Sequence, residues 1–318
     1  MNDFAHLLDR LAYEPRRNAK LRLLQDFFRH TPDPDRGYAL AAMTGSLSFR
    51  EAKPGLIRGL VEARVDPVLF RLSYNYVGDL AETTALIWPK RDGSPGPGHN
   101  NPPVPTLSEV VESLATIGKS ELPARLAAWL DALDETGRWA LLKLITGELR
   151  VGVSARLAKT AVASLGGHEA DAVEEVWHGL QAPYPELFAW VEGRTGPPES
   201  INPAPFRPAM LSHPIEEEAD LDKLDAEAFS AEWKWDGIRV QLAGGRDGEG
   251  RQVQKIYSRT GEDISGAFPD LAEAITFSGA LDGELLILRD ARVQSFNVLQ
   301  QRLNRKTVTG KLLQDFPA

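Results

Sequence analysis

The chain has 318 residues, of which 42% are hydrophobic and 25% charged, and a formal net charge of −9. This balance is typical of a folded globular protein, and the length exceeds that of most single domains, so we expect two domains. The absence of cysteine excludes a disulfide scaffold, a cysteine zinc site and a catalytic thiol. The acidic balance argues against coating nucleic acid by overall charge, so any such contact must rest on local basic patches.

The sequence contains no apolar run that approaches the roughly 20 residues needed to cross a bilayer. Residues 1–18 alternate charged and apolar side chains, unlike the uninterrupted hydrophobic stretch of a signal peptide. We therefore expect a cytoplasmic protein with no membrane partner.

The first 200 residues are predicted to be helical. Residues 4–14, 124–135 and 138–150 place apolar side chains three and four positions apart, the spacing of an amphipathic helix. Alanine, leucine, glutamate and arginine dominate these segments, and all four favour helix formation. No convincing pair of strands is predicted in this half.

Two segments rich in proline and glycine interrupt the pattern. Residues 89–106 are predicted to form an exposed loop, with Thr106 or Ser108 capping the helix that follows. Residues 193–208 form the second break. We place the domain boundary there, between residues 1–200 and residues 206–318.

After residue 208 the pattern changes to short runs with alternating polarity. Residues 229–244, 251–261 and 279–290 are predicted strands, and residues 244–250 look like a hairpin connection between the first two. Residues 265–276 carry a helical pattern. This half is therefore predicted to be α+β with a mainly antiparallel sheet.

The most informative stretch has the spacing K-x-D-G-x-R, formed by Lys234, Asp236, Gly237 and Arg239. A lysine at the end of a strand becomes a nucleophile where positive neighbours and desolvation lower its pKa. Glycine allows a ligand to approach the backbone, and arginine offers a fork suited to phosphate oxygens. The alternative is that these are solvated strand residues in weak surface pairs.

Two further motifs reduce the weight of that alternative. Tyr257, Ser258 and Arg259 fall on the second predicted strand, and Asp282 and Glu284 fall on the third. An arginine and a carboxylate placed there could converge with the lysine on one pocket. Each alone would more often be a surface charge, so the inference rests on their combination.

Together these motifs resemble those of the nucleotidyltransferases, specifically the ATP-dependent DNA ligases and the related mRNA capping enzymes. The resemblance implies that Lys234 is adenylated and that Glu232 contacts adenine. It also implies that Arg239 and Arg259 contact the nucleotide, while Glu284 meets the ribose and lies near the metal. Residues 206–215 and 296–302 are similar to further ligase segments. The candidate metal ligands are Asp236 and Glu284.

The helical half distinguishes between these relatives. Residues 141–163 are similar to the helical DNA-binding domain that precedes the catalytic core in larger ATP-dependent ligases, and residues 74–83 resemble a segment of bacterial ligases. Gly147 and Gly152 would flank a tight turn between two helices. The alternative is a plain helical hairpin with solvated charges. Candidate contacts to DNA phosphates are Arg150, Ser154, Arg156 and Lys159.

The resemblance implies a multidomain chain, with an all-α N-terminal DNA-binding domain followed by an incomplete α+β nucleotidyltransferase (adenylation) domain. It also implies the ligase reaction, with ATP and Mg²⁺ as cofactors and nicked duplex DNA as partner, in a protein we expect to be a monomer. The lysine takes AMP from ATP, AMP passes to the 5′-phosphate at a nick, and the 3′-hydroxyl then displaces AMP. Each step is an in-line displacement at phosphorus, where positioning and charge neutralisation dominate.

The sequence departs from the family pattern at its end. Ala318 lies about 34 residues past Glu284, and we find no counterpart of the adenine-stacking aromatic, the fourth and fifth motifs or the OB-fold domain. The expectation is therefore a truncated adenylation domain with uncovered apolar surface and strand edges. We expect this chain as given to adenylate poorly or not at all, while its helical half stays folded.

Three alternatives remain open. An RNA ligase or capping enzyme shares the lysine motif, but neither is expected to carry the helical domain of residues 141–163. An NAD-dependent ligase normally has a cysteine zinc site and a different N-terminal domain. A non-catalytic DNA-binding module belongs to another class, and salt-dependent binding of residues 1–200 to duplex DNA would test it.

Overall fold

The computed structural model describes residues 1–89, 103–147, 149–199, 202–210, 214–215, 221–222, 224–225, 227–303, 305 and 308–317. The chain divides into two compact units. The helical unit comprises Met1–Val173 and Gln181–Pro198, and the sheet unit comprises Glu174–Leu180 and Glu199–Ala318. The assignment of functional domains to residues 1–200 and 206–318 stays a prediction.

Amphipathic helices build the helical unit, as the periodicity predicts. In the first helix Phe4, Leu7, Leu8 and Leu11 are all buried, the three- and four-residue spacing that gathers apolar side chains on one face. The helices up to residue 191 are α1 (Asn2–Tyr13), α2 (Arg17–His30), α3 (Asp35–Met43), α4 (Pro54–Glu62), α5 (Pro67–Val77), α6 (Leu80–Ile87), α7 (Leu107–Thr116), α8 (Leu122–Ala132), α9 (Glu135–Thr146), α10 (Ala155–Ala163), α11 (Ala170–Trp177) and α12 (Pro185–Val191).

The first predicted break lies mostly outside the described residues, but its end is well defined. Thr106 caps α7: its Oγ1 accepts a hydrogen bond from the Glu109 N–H at 3.1 Å. The Glu109 carboxylate in turn accepts from the Thr106 N–H at 2.8 Å, which completes a capping box. Of the two predicted caps, Thr106 is therefore the one used.

A tight turn joins α9 to α10, as the two glycines predict. Gly147 ends α9 in the left-handed conformation with φ 72°, and Gly152 has φ 64°, values that non-glycine residues rarely adopt. Ser154 caps α10 by accepting a hydrogen bond from the Leu157 N–H at 3.1 Å. Lys20 of α2 donates to the carbonyl oxygens of Val151 at 2.6 Å and Gly152 at 3.1 Å, so a buried ammonium holds the turn in place.

The sheet unit contains an antiparallel three-stranded sheet in the order β2–β1–β3, formed by β1 (Ile238–Arg246), β2 (Gln252–Ser258) and β3 (Gly279–Leu285). Alternate residues of a strand point to opposite faces. One face carries Val240, Ile256 and Leu285 into the main core cluster of this unit. The other face carries Ala243 and Tyr257, which pack against Ala204 and Phe206.

The connections of the sheet agree with the predicted ones. Residues 247–251 join β1 to β2, with the Asp247 carboxylate accepting from the N–H groups of Glu249 and Arg251. A 3₁₀ helix (Ser265–Ala267) and α13 (Pro269–Glu273) lie between β2 and β3. The chain continues through β4 (Leu288–Arg289), β5 (Arg292–Val293), α14 (Phe296–Leu299) and α15 (Gly310–Asp315). Among the described residues, no helix has both the length and the apolar character to span a bilayer.

Candidate functional site

The segment that carries Lys234 is irregular and exposed. The prediction of a strand over residues 229–244 is wrong in its first half, because β1 begins only at Ile238. β3 runs antiparallel to β1 and ends with Leu285 opposite Ile238, so no described strand lies beside the lysine. Glu232, Lys234 and Asp236 are exposed, and the neighbouring Trp233 is 86% exposed.

Gly237 joins this segment to β1 where two strands come very close. A Cβ at this position would overlap the carbonyl oxygen of Leu285 on β3 and would lie 3.1 Å from Cγ of Glu284. We predicted that this glycine lets a ligand approach the backbone. In the structure the close neighbour is the adjacent strand, and the glycine brings the lysine motif against Glu284.

Arg239 and Glu284 are direct cross-strand partners on β1 and β3. They share the sheet face that also carries Gln241 and Asp282, whose Cα atoms form another register pair. The Arg239 Nη2 donates to Asp282 Oδ2 at 3.1 Å. The sheet register therefore brings Arg239 next to two carboxylates, Asp282 and Glu284, that follow it by more than 40 residues in the sequence.

One nitrogen of the Arg239 guanidinium makes no hydrogen bond to the described residues. Its side chain is 38% exposed, yet its Nε is buried and finds no hydrogen-bond partner among the described residues. A buried polar atom without a partner is costly, and it needs an explanation such as an ordered water, an ion or a catalytic role. Because a guanidinium pairs well with phosphate oxygens, Nε is suited to an anionic ligand.

Arg259 lies just past the end of β2, in the turn that follows Ser258, and not on the strand as predicted. The chain turns here because Gly261 takes φ 85° and Ser258 Oγ accepts from the Glu262 N–H at 3.2 Å. The turn forms part of the wall of a cavity of about 650 Å³. The cavity is lined by Ile238, Arg239, Ser258, Arg259, Thr260, Glu262, Asp263, Ile264, Gly266, Ala267, Leu303 and Arg305.

This cavity brings together the two arginines of the predicted site, Arg239 and Arg259, and adds Arg305, which the sequence analysis missed. Lys234 and Glu284 are not among its described lining residues. Arg239 thus lines the same cavity as Arg259, and it lies opposite Glu284 in the sheet register. The lysine stands in the exposed segment five residues before Arg239.

An ion pair stabilises one wall of the cavity. Lys255 Nζ lies 2.6 Å from Asp263 Oδ2. Burial alone would raise the pKa of Asp263, but hydrogen bonds from Lys255 and Ser265 outweigh it, so this pKa lies below its ordinary value. Asp263 therefore remains negatively charged in the wall at neutral pH.

Asp236 and Glu284 were predicted to hold a metal ion. The described residues contain no group of three or more His, Asp or Glu side chains arranged around a metal position. Mg²⁺ at nucleotide sites, however, is usually held by one or two carboxylates together with phosphate oxygens and water. Both residues offer the hard oxygen donors that fit that chemistry.

The four predicted DNA contacts differ in accessibility. Arg150, Ser154 and Arg156 are exposed at the turn between α9 and α10. Arg156 pairs with Asp171 at 2.9 Å. Lys159 is only 7% exposed, because it falls on the buried face of α10 together with Ala158, Ala161 and Val162. This burial does not favour the predicted contact between Lys159 and a DNA phosphate.

Comparison with known proteins shows which family and which curated proteins this chain is similar to. The family model "ATP dependent DNA ligase domain" matches residues 209–318. "DNA ligase 1" of Korarchaeum cryptofilum is 28% identical across 100% of this chain, which covers 59% of that protein. A "Probable DNA ligase" of Koribacter versatilis is 34% identical over 56% of this chain and 30% of its own length. One of Opitutus terrae is 27% identical over 95% of this chain and 36% of its own length.

The family model and these relatives make the chain similar to DNA ligases. The similarity to the ATP-dependent DNA ligase domain covers residues 209–318, and the similarity to a curated DNA ligase extends over the whole chain. The chain spans less than two thirds of the length of each of these relatives.

Proposed function

We propose that the protein is an ATP-dependent DNA ligase that seals nicks in duplex DNA through a lysyl-AMP intermediate on Lys234. The observation that carries the proposal is the placement of Arg239, which shares a cavity with Arg259 and is the cross-strand partner of Glu284, five residues after an exposed lysine and within the matched ligase domain. This combination supplies a nucleophile, two guanidinium groups for phosphate and a carboxylate for ribose or metal.

In the first step the deprotonated Nζ of Lys234 attacks the α-phosphorus of ATP. The bond between the α-phosphorus and the bridging oxygen breaks, and pyrophosphate leaves. Arg239 can donate its unpartnered Nε, and Arg259 its guanidinium, to phosphate oxygens whose negative charge grows during the displacement. Glu232 is proposed to contact adenine, which would position the α-phosphate for attack.

AMP then passes from the lysine to the 5′-phosphate at the nick, and the 3′-hydroxyl displaces AMP as the phosphodiester forms. Asp236 and Glu284 would hold Mg²⁺, which neutralises charge on the phosphate oxygens. The exposed side chains of Lys234 and Asp236 are consistent with a site that receives two large substrates in turn.

The helical unit is proposed to bind the duplex through the turn between α9 and α10. Arg150 and Arg156 are exposed there, and an arginine on a turn can reach the phosphate backbone without reading sequence. Lys159 was included on the sequence pattern alone, and its burial favours a structural role instead. We further propose a monomer located in the cytoplasm, in keeping with the cysteine-free composition.

The test of this function uses the complete gene product and ATP labelled at the α-phosphate. Wild-type protein is expected to become covalently labelled and to seal nicked duplex DNA in the presence of Mg²⁺. Lys234→Arg keeps the positive charge but removes the nucleophile, since a guanidinium stays protonated. This variant should show only background labelling.

Lys311→Arg is the matched control, because Lys311 is exposed on α15 and has no role in the proposal. It should label as the wild type does. Undiminished labelling of Lys234→Arg, or preference for nicked RNA over nicked DNA, would refute the proposed function.

A further inference from the structure

Gln241 of β1 is a buried amide that uses both of its N–H donors and accepts one hydrogen bond at its oxygen. The side chain lies 4% exposed on the sheet face that carries Arg239. Its Oε1 accepts from the Arg207 N–H at 2.7 Å. Its Nε2 donates to the Arg207 carbonyl oxygen at 2.9 Å and to Asp282 Oδ1 at 2.9 Å.

These partners define the orientation of the amide. If its oxygen and nitrogen were exchanged, Nε2 would face the N–H of Arg207, and Oε1 would face two acceptor oxygens. Every contact would then be unfavourable. The Gln241 nitrogen is therefore directed at Asp282, and the glutamine links the backbone at Arg207 to a carboxylate on β3.

The contact with Gln241 determines which atoms of Asp282 and Arg239 form a hydrogen bond. One oxygen of the carboxylate, Oδ1, is held by Gln241, and the other, Oδ2, accepts from Arg239 Nη2. The pairing with the guanidinium therefore engages Nη2, while Nε stays unpartnered among the described residues. A carboxylate free of Gln241 could rotate and take Arg239 through both Nη2 and Nε, the preferred bidentate arrangement.

We propose that Gln241 is a positioning residue for adenylation: it restrains Asp282 so that Arg239 keeps Nε available for a phosphate oxygen of ATP. The inference rests on the proposed function and adds to it a residue that does not itself touch the nucleotide. Gln241 acts at a distance of two hydrogen bonds from the guanidinium. Its effect is therefore on how tightly ATP is held, more than on the nucleophile.

The experiment measures the rate of lysyl-AMP formation against ATP concentration in the complete gene product. Gln241→Met fills a similar volume without polar atoms. It should raise the ATP concentration for half-maximal rate by roughly tenfold, as expected for a lost contact to a charged group, with a smaller change in the maximal rate. In an Arg239→Lys background, which lacks the fork, Gln241→Met should cause no further increase.

Tyr257→Phe is the structural control. The Tyr257 hydroxyl donates to the Ala204 carbonyl oxygen at 2.7 Å, so it anchors the same N-terminal stretch of this unit without touching Asp282. This variant should lower the thermal midpoint and leave the ATP dependence unchanged. If Gln241→Met does not yield folded protein, Asp282→Asn tests the same hydrogen-bond link between Gln241 and Arg239. The same two quantities are measured, the ATP concentration for half-maximal rate and the maximal rate.

A wild-type ATP dependence in Gln241→Met, or an equal increase in the wild-type and Arg239→Lys backgrounds, would overturn the positioning role while leaving the proposed function intact. A wild-type protein that forms no lysyl-AMP at all would reject the proposed function and this inference with it.

Discussion

In the helical unit Lys20, Arg36 and Lys159 are buried. Lys20 and Arg36 donate to backbone carbonyl oxygens of that unit, and Lys159 also has an interaction partner. In the sheet unit Lys234 and Arg259 are exposed, and Arg239 retains a buried Nε with no partner among the described residues. Both regions look equally rich in basic residues in the sequence. The exposure of Lys234 and Arg259 leaves them accessible to a ligand, whereas the buried cations of the helical unit stabilise its fold.

Among the described residues of the sheet unit, Arg302 is a buried structural cation, and its removal should give the largest effect. Arg302 is 0% exposed and donates to the carbonyl oxygens of Ala267 at 2.9 Å and Phe316 at 2.8 Å, besides pairing with Asp270. Arg302→Met should destabilise this unit by about 3 kcal/mol, because it breaks a buried ion pair and leaves acceptors unsatisfied. Hydrogen exchange of β1–β3, followed by mass spectrometry, measures this.

Arg292→Met is the control for Arg302→Met, since Arg292 is exposed on β5. Its effect should stay within about 0.5 kcal/mol. Equal exchange rates in the two variants would show that Arg302 is not a structural cation of the sheet unit.

Loss of Lys20, a buried lysine of the helical unit, should have the next largest effect. Lys20→Met removes the donor to Val151 and Gly152 and leaves two carbonyl oxygens with weaker partners, at a cost of about 2 kcal/mol. The measurement is the thermal midpoint of the helical transition followed by circular dichroism. Lys119→Met, at an exposed position, should leave the midpoint unchanged, and a matching drop there would contradict the assignment.

The comparison also predicts which basic residues contact DNA. Arg150→Gln should weaken binding to nicked duplex DNA by less than about 1 kcal/mol and reduce the slope of log affinity against log salt by about 0.9, the value for one phosphate contact. Lys159→Gln should lower stability and leave the slope unchanged, since Lys159 is buried. Titrations at several salt concentrations measure both. A lower slope for Lys159→Gln alone would reverse the assignment.

The smallest predicted effect concerns pH. The pKa of Asp263 lies below its ordinary value in the folded state, so the unfolded chain binds this proton at higher pH than the folded chain does. The stability from its pair with Lys255 is therefore present above about pH 4 and is lost as the pH falls through the lower folded pKa. Thermal midpoints of wild type and Asp263→Asn should converge below that pH, and a constant difference down to pH 2 would exclude this contribution.

Much of the architecture follows from local sequence signals. The amphipathic period predicted helices such as α1, two glycines predicted the turn between α9 and α10, and Thr106 or Ser108 predicted a capped helix start. A hairpin connection was also predicted, at residues 244–250, and the structure has it at residues 247–251. Each of these signals is a local pattern within a few residues, so no knowledge of tertiary contacts was required.

The structure differs from the sequence-based predictions where tertiary contacts determine the position or burial of a residue. The start of β1 depends on where β3 ends, which places Lys234 outside the sheet. The burial of Lys159 depends on which face of α10 meets its neighbours. Gln241 was missed because a lone glutamine between Val240 and Leu242 looks like an ordinary outward-facing strand residue. Its partners Arg207 and Asp282 are more than 30 residues away, and no local signal identifies them.

The central claim is that Lys234 is the residue that carries AMP. The most direct test incubates the complete gene product with ATP and Mg²⁺, digests it, and locates the adenylated peptide by mass spectrometry. The account predicts AMP on the peptide spanning residues 229–239, attached to Lys234 through a phosphoramide bond that is stable in alkali and labile in acid. AMP on any other residue, or a wild-type protein that seals nicks without this adduct, would contradict it.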